Sequence, residues 1–99
     1  GYNVYPADIE NVVLQLPFIS EVCAVQGYQK NKPCVKLCVT LKQPMNKDLA
    51  IDKIHAYCKK NLAKFSCPRK IEILESFPRT KMAKVDFMKL SDKYDPKEN

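Results

Sequence analysis

From Pro6 to about Leu16 the apolar residues fall at Ile9, Val12, Val13 and Leu16, the i, i+3, i+4, i+7 spacing of one helical face. Pro6 carries the φ of a first helical turn, Asp8 and Glu10 sit where the helix dipole favours acid, and Pro17 cannot extend the pattern. The spacing therefore predicts an amphipathic helix that stops before Pro17. Residues 20–28 (SEVCAVQGY) and 34–42 (CVKLCVTLK) are short and rich in β-branched residues, and QKNKP between them reads as a turn, which predicts a hairpin. After Gln43-Pro44, Asn46 or Asp48 is placed to cap a second helix, with Ile51, Ile54, Cys58 and Leu62 on one face and lysines on the other, ending near Lys64. RKIEILE (69–75) reads as a third strand, broken by Phe77-Pro78, and Val85 to about Lys93 as a last helix with Phe87, Leu90 and Tyr94 on one side.

The predicted order is helix, strand, strand, helix, strand, helix. It describes a small α/β (α+β) domain whose central sheet of about three strands, hairpin included, needs flanking helices to bury both faces of VCAV and VKLCV. A chain of 99 residues has room for one such domain and one modest core, and its 45% apolar and 28% charged residues are those of a folding sequence rather than a disordered one. No apolar run approaches the roughly 18 residues that span a bilayer, and GYNVYPADIE lacks the basic and apolar regions of a signal peptide.

Charge changes the picture more than composition does. The formal charge is +6, yet residues 1–26 hold no Lys or Arg, and most of the positive charge lies from Lys42 onward. Such a balance points to a polyanionic partner: nucleic acid, a membrane surface, or a nucleotide or coenzyme A. The five cysteines, Cys23, Cys34, Cys38, Cys58 and Cys67, form no Cys-x-x-Cys pair and have one histidine, His55, for company. They read as thiols of a reducing cytosol, mostly small buried hydrophobes, with Cys23 and Cys38 able to face each other across the hairpin. His55, mid-helix and without a ligand-spaced partner, reads as structural. Arg69 and Lys70 read as a solvated strand end.

Three separated stretches say more than the periodicities. GYNVYPADIE (1–10), LAKFSCPRKIEIL (62–74) and FPRTKMAKVDFMKL (77–90) resemble, in order and at similar spacing, three motifs of the C-terminal subdomain of the acyl-adenylate-forming enzymes. That superfamily includes acyl-CoA synthetases, nonribosomal peptide synthetase adenylation domains and luciferases. The resemblance covers nearly the whole chain, so that residues 1–99 read as one mobile cap of an AMP-forming acyl-CoA synthetase. It implies an N-terminal domain of the same polypeptide that binds ATP, Mg²⁺ and a carboxylic acid, joined through a hinge ahead of Gly1, with the acyl group passing from AMP to the thiol of coenzyme A. The isolated cap is then expected to be inactive.

The resemblance also implies site residues. The last motif, a proline, a basic residue, a threonine, two variable residues, a glycine and a lysine, ends here on Lys84, which takes the role of the adenylation lysine. A positioned ammonium in a closed site stabilises the charge that spreads over phosphoryl oxygens as the carboxylate attacks. Arg79 and Thr80 would brace that loop, whereas Lys81 reads as a solvated charge. Gly1 and Tyr2 would line the channel of the pantetheine arm, since backbone approaches a thin ligand closely where no side chain intervenes. The motif's glycine is Ala83 in this chain, and a positive φ there would strain it. Two other readings stand beside this one. A basic nucleic-acid-binding α/β module would need exposed aromatics on the central strands, which VCAVQ and VKLCV do not offer. A stand-alone interaction domain with the cap fold would have no adenylating partner.

Overall fold

The computed structural model describes residues 4–95 and residue 97. In chain order the elements are α1 (Pro6–Val13), β1 (Ile19–Gln29), β2 (Lys32–Leu41), α2 (Lys47–Asn61), a single 3-10 turn (Lys64–Ser66), β3 (Lys70–Ile73) and α3 (Phe87–Leu90). The strands form one mixed sheet in the order β1-β2-β3, with β1 antiparallel and β3 parallel to β2. Parallel pairing of β2 and β3 requires a crossover, and α2 supplies it.

The local chemistry explains most element ends. Pro6 lies in the first turn of α1, and Leu14 N–H closes the helix on the Glu10 carbonyl. Gln15 and Leu16 then tighten to i−3 bonds on Val12 and Val13, because Pro17 excludes a further α-turn. The helix is thus shorter than its apolar spacing, and Leu16 packs from the following turn. Asn46 caps α2, its side chain accepting the Leu49 N–H at 3.0 Å, while Lys59 and Lys60 occupy the last turn where the dipole favours cations. Between β1 and β2 the five-residue turn contracts to two residues, Lys30 and Asn31, with φ of 50° and 60°. Positive φ at both positions is the type I′ geometry whose twist matches a hairpin.

Strand alternation divides the core into two layers. Ala24, Leu37 and Val39 face α1 and α2, meeting Ile9, Val13, Ile54 and Cys58. Cys23 and Cys38, register partners across the hairpin, face the other way and meet Phe77 and Leu90. Both sheet faces are therefore covered, and Lys36 to Thr40 form a continuous buried run in β2. Of the cysteines, Cys23, Cys38 and Cys58 are buried, Cys34 and Cys67 half-buried, and all five are free thiols.

The last helix departs from its expected span. Only Phe87–Leu90 is helical, started by the Asp86 carboxylate accepting the Lys89 N–H. Leu90 is buried, but Phe87 and Tyr94 are exposed rather than sharing its face. The chain leaves the helix at Ser91 because the next residue seals an edge: Asp92 N–H donates to the Gln26 carbonyl, and Asp92 Oδ2 accepts the Tyr28 N–H. A little further along, Glu10 of α1 accepts the Ala24 N–H at 2.9 Å. Three of the outward backbone groups of β1, on Ala24, Gln26 and Tyr28, are thereby occupied, which blunts an edge that would otherwise recruit another strand.

Asp92 also neutralises the one lysine inside the sheet. Lys36 Nζ, on a side chain only 9% exposed, donates to Asp92 Oδ1 at 3.0 Å and to the Leu90 carbonyl at 2.9 Å, with Glu72 at 3.7 Å. Lys70 pairs with the other Asp92 oxygen and with the Tyr28 carbonyl, so it is a structural ion-pair member rather than a solvated strand end. Burial opposes ionisation of Asp92, but the hydrogen bonds from Lys70, Lys36 and the Tyr28 backbone outweigh it and hold the carboxyl at about 2. Across this cluster the backbone is tight: a Cβ on Gly27 would lie 2.8 Å from Lys36 Cβ.

Two outcomes follow for stability. A carboxyl lowered in the folded state stabilises fully above its unfolded value, and the contribution disappears as pH falls from about 4 to about 2. Asp92→Asn should lose about 2 kcal/mol at pH 7 by urea denaturation and converge on the parent near pH 2. Gly27→Ala should lose about 1–3 kcal/mol by the same measurement, because the Lys36 stem has no room to move away.

Candidate functional site

Residues 79–85 form a compact projecting hairpin. Arg79 and Val85 pair as an isolated antiparallel bridge, Asp86 N–H reaches the Pro78 carbonyl at 2.8 Å, and Thr80 N–H donates to the Lys84 carbonyl at 2.8 Å. Inside this frame Ala83 N–H returns to the Thr80 carbonyl at 2.9 Å, closing a three-residue loop of Lys81, Met82 and Ala83. A loop of that length ends on a residue in the left-handed region, and Ala83 has φ of 62°. The strain expected at the position where the motif places glycine is present: the alanine Cβ crowds the following carbonyl.

The sequence-predicted residues fall differently around this loop. Lys84 closes it, exposed, and its side chain has no ion pair or hydrogen bond among the described residues. Thr80 Oγ1 accepts the Met82 N–H at 3.3 Å, stiffening the turn. Arg79 Nη2 meets Glu21 Oε2 at 2.6 Å, tying the loop base to β1. Lys81 is exposed at the tip beside Met82, which is 78% exposed. Gly1 and Tyr2 lie outside the described residues.

Val4, which continues from them, is half-buried and lines a cavity of about 290 Å³ with Pro6, Ile9, Ala24, Gln26 and Val35. That cleft is lined mainly from the α1 face of the sheet, although Val25 and Cys34 also reach it. The Lys84 loop belongs to the opposite face, tied at the other end of β1. From Glu21 to Gln26 the strand rise alone separates them by about 17 Å. The cleft and the loop base therefore sit at different ends of β1.

Other groups contribute less chemistry. Burial pushes the thiols of Cys23, Cys38 and Cys58 up to about 11, so they are protonated at neutral pH and are not nucleophiles. His55 is exposed on α2. With helices or the 77–90 segment over both sheet faces, β1 and β2 offer no open platform for stacked bases. Glu21, Lys36 and Asp92 were not singled out as a group by sequence reasoning. A signal for Lys36 was available, since in CVKLCV it sits on the alternation of Cys34 and Cys38, an inward position. Glu21 and Asp92 gave none, because their partners lie 58 and 56 residues away.

Comparison with known proteins agrees with this geometry. The AMP-binding enzyme C-terminal domain family matches residues 8–84. A long-chain-fatty-acid–CoA ligase of Salmonella typhimurium is 34% identical over 94 residues, covering 93% of this chain and 16% of the ligase. The chain therefore spans 16% of the length of this curated relative. Among solved structures, a Mycobacterium tuberculosis fatty acyl CoA synthetase matches with a TM-score of 0.76 at 30% identity, covering 91% of this chain and 18% of that one. An ATP-bound RpMatB-BxBclM chimera matches with a TM-score of 0.81 at 27% identity, covering 96% of this chain and 20% of the other. The three-stranded mixed sheet with its three helices is the fold of that subdomain, and the chain belongs to the AMP-binding enzyme C-terminal domain family, the C-terminal subdomain of AMP-forming acyl-CoA synthetases.

Proposed function

We propose that this domain is the mobile cap of an AMP-forming acyl-CoA synthetase and that Lys84 is its adenylation lysine. The observation that carries this reading is the presentation of Lys84: a cation with no ion pair or hydrogen bond of its side chain among the described residues, at the close of a loop braced by Thr80 and Arg79. A lysine meant only to be solvated needs no such frame. In the whole enzyme an N-terminal domain of the same polypeptide would hold ATP, Mg²⁺ and the carboxylic acid, and docking of the cap would bring the Lys84 ammonium to them. There it would attract the carboxylate and the α-phosphoryl oxygens, align them for attack, and stabilise the charge as pyrophosphate leaves. Its task is electrostatic; it forms no bond and transfers no proton.

The second half-reaction, acyl transfer to the thiol of coenzyme A, would use the other end of the domain. In this reading a rotation of the whole cap would withdraw the Lys84 cation and turn the end of the domain that carries Val4 and its cleft toward the thiol, with Gly1 and Tyr2 lining the pantetheine channel as the motif resemblance implies. Half-buried and buried free thiols alike support residence in a reducing compartment such as the cytoplasm. The long-chain and medium-chain ligases among the relatives favour a fatty acid as the acyl substrate.

Two substitutions in the full-length protein test the proposal. Lys84→Ala should lower ATP–pyrophosphate exchange by about 10²–10³-fold, while thioester formation from preformed acyl-adenylate stays within about three-fold. A parallel loss of both half-reactions, or of neither, would contradict it. Ala83→Gly removes the left-handed strain but frees the unfolded chain, so it should stabilise the protein by about 0.5–1 kcal/mol in denaturant melts.

A further inference from the structure

We infer that Glu21 is a positioning residue for adenylation: its carboxylate, gripping Arg79, fixes the loop that carries Lys84 in its reactive orientation. The inference rests on the cap reading above.

Three observations converge on Glu21. Its backbone is itself fixed, because the irregularity in pairing between Ile19 and Glu21 turns the Glu21 N–H onto the buried Thr40 hydroxyl at 3.0 Å. Alternation along β1 then sets its side chain on the face of Cys23 and Val25, the face against which the 77–90 segment packs. Finally, Glu21 Oε2 lies 2.6 Å from Arg79 Nη2, and among the described residues no other side-chain hydrogen bond or ion pair links residues 79–85 to the sheet. Below the loop, Val85 and Phe77 pack into the apolar layer and fix its height. Apolar contacts leave a hairpin free to swing about its base, whereas a charged hydrogen bond at Arg79 sets a direction.

The energetics separate this role from a structural one. Both side chains are 43% exposed, and an exposed ion pair contributes little to global stability. Loss of the pair therefore leaves the fold intact and acts on loop direction, where a displacement of about 1 Å can slow a positioned reaction by up to about 10²-fold. Glu21 touches no reacting group and acts through Arg79.

The test compares Glu21→Ala, the charge-exchanged pair Glu21→Arg with Arg79→Glu, and Lys84→Ala in the full-length protein. Glu21→Ala should reduce ATP–pyrophosphate exchange about 10-fold, leave transfer from preformed acyl-adenylate to coenzyme A within about two-fold, and shift the melting temperature by no more than about 3 °C. The exchanged pair should recover at least about a third of the lost rate, and hydrogen exchange at the Thr80 amide should quicken in Glu21→Ala and slow again in the exchanged pair. If Lys84→Ala collapses adenylation while Glu21→Ala changes neither rate nor amide exchange, the latch is overturned and the cap reading stands. If Lys84→Ala leaves adenylation intact, the cap reading falls and takes the catalytic meaning of the latch with it. Equal loss of both half-reactions in Glu21→Ala would make the pair merely structural.

Discussion

Burial of β2 on both faces is the constraint from which the rest of the domain follows. A central strand buried from Lys36 to Thr40 must be covered twice, and a chain of this length has few elements to do it with. The helices α1 and α2 take one side. The other is left to a segment with only one turn of helix, anchored by Phe77 and Leu90. Because Lys36 lies in that buried run, the covering segment must also bring a carboxylate, and Asp92 ends the helix in order to deliver it. Breaking such a pair by removing one member leaves a charge stranded in the sheet, so the tail of the domain is held by electrostatic necessity as much as by apolar contact.

This arrangement has a consequence for the loop that bears Lys84. The segment over the second face enters at Phe77 and is fixed again at Leu90 and Asp92, so residues 79–85 are held at both ends beside a sheet edge that Glu10 and Asp92 partly seal. The loop can then project as a small rigid hairpin without unsettling the core. Its tightness requires the left-handed conformation at position 83, and alanine adopts it because the surrounding bonds from Thr80 to Ala83 and Lys84 fix the geometry. Local strain at this point is compensated by the frame, in the manner common to residues that present a working group.

The elements legible in the sequence were those whose causes are local. The Asn46 cap, the proline stop after α1 and the alternation of the hairpin are written within a few residues, and three strands with flanking helices followed from them. The span of the last helix was not legible. Phe87, Leu90 and Tyr94 have helical spacing, but the decision to leave the helix is made by bonds to Gln26 and Tyr28, more than 60 residues away. Lys70 was misjudged for the same reason, since its partner Asp92 is distant in sequence. In the candidate site, Lys84, Arg79 and Thr80 were visible through a motif, whereas Glu21 is an ordinary strand acid until the fold sets it against Arg79.

The most direct measurement of the central claim is a crystal structure of the full-length protein with ATP and a carboxylic acid bound before reaction. The account requires the Lys84 ammonium within about 3 Å of a carboxylate or α-phosphate oxygen. A closed, substrate-bound enzyme with Lys84 still in solvent would contradict it.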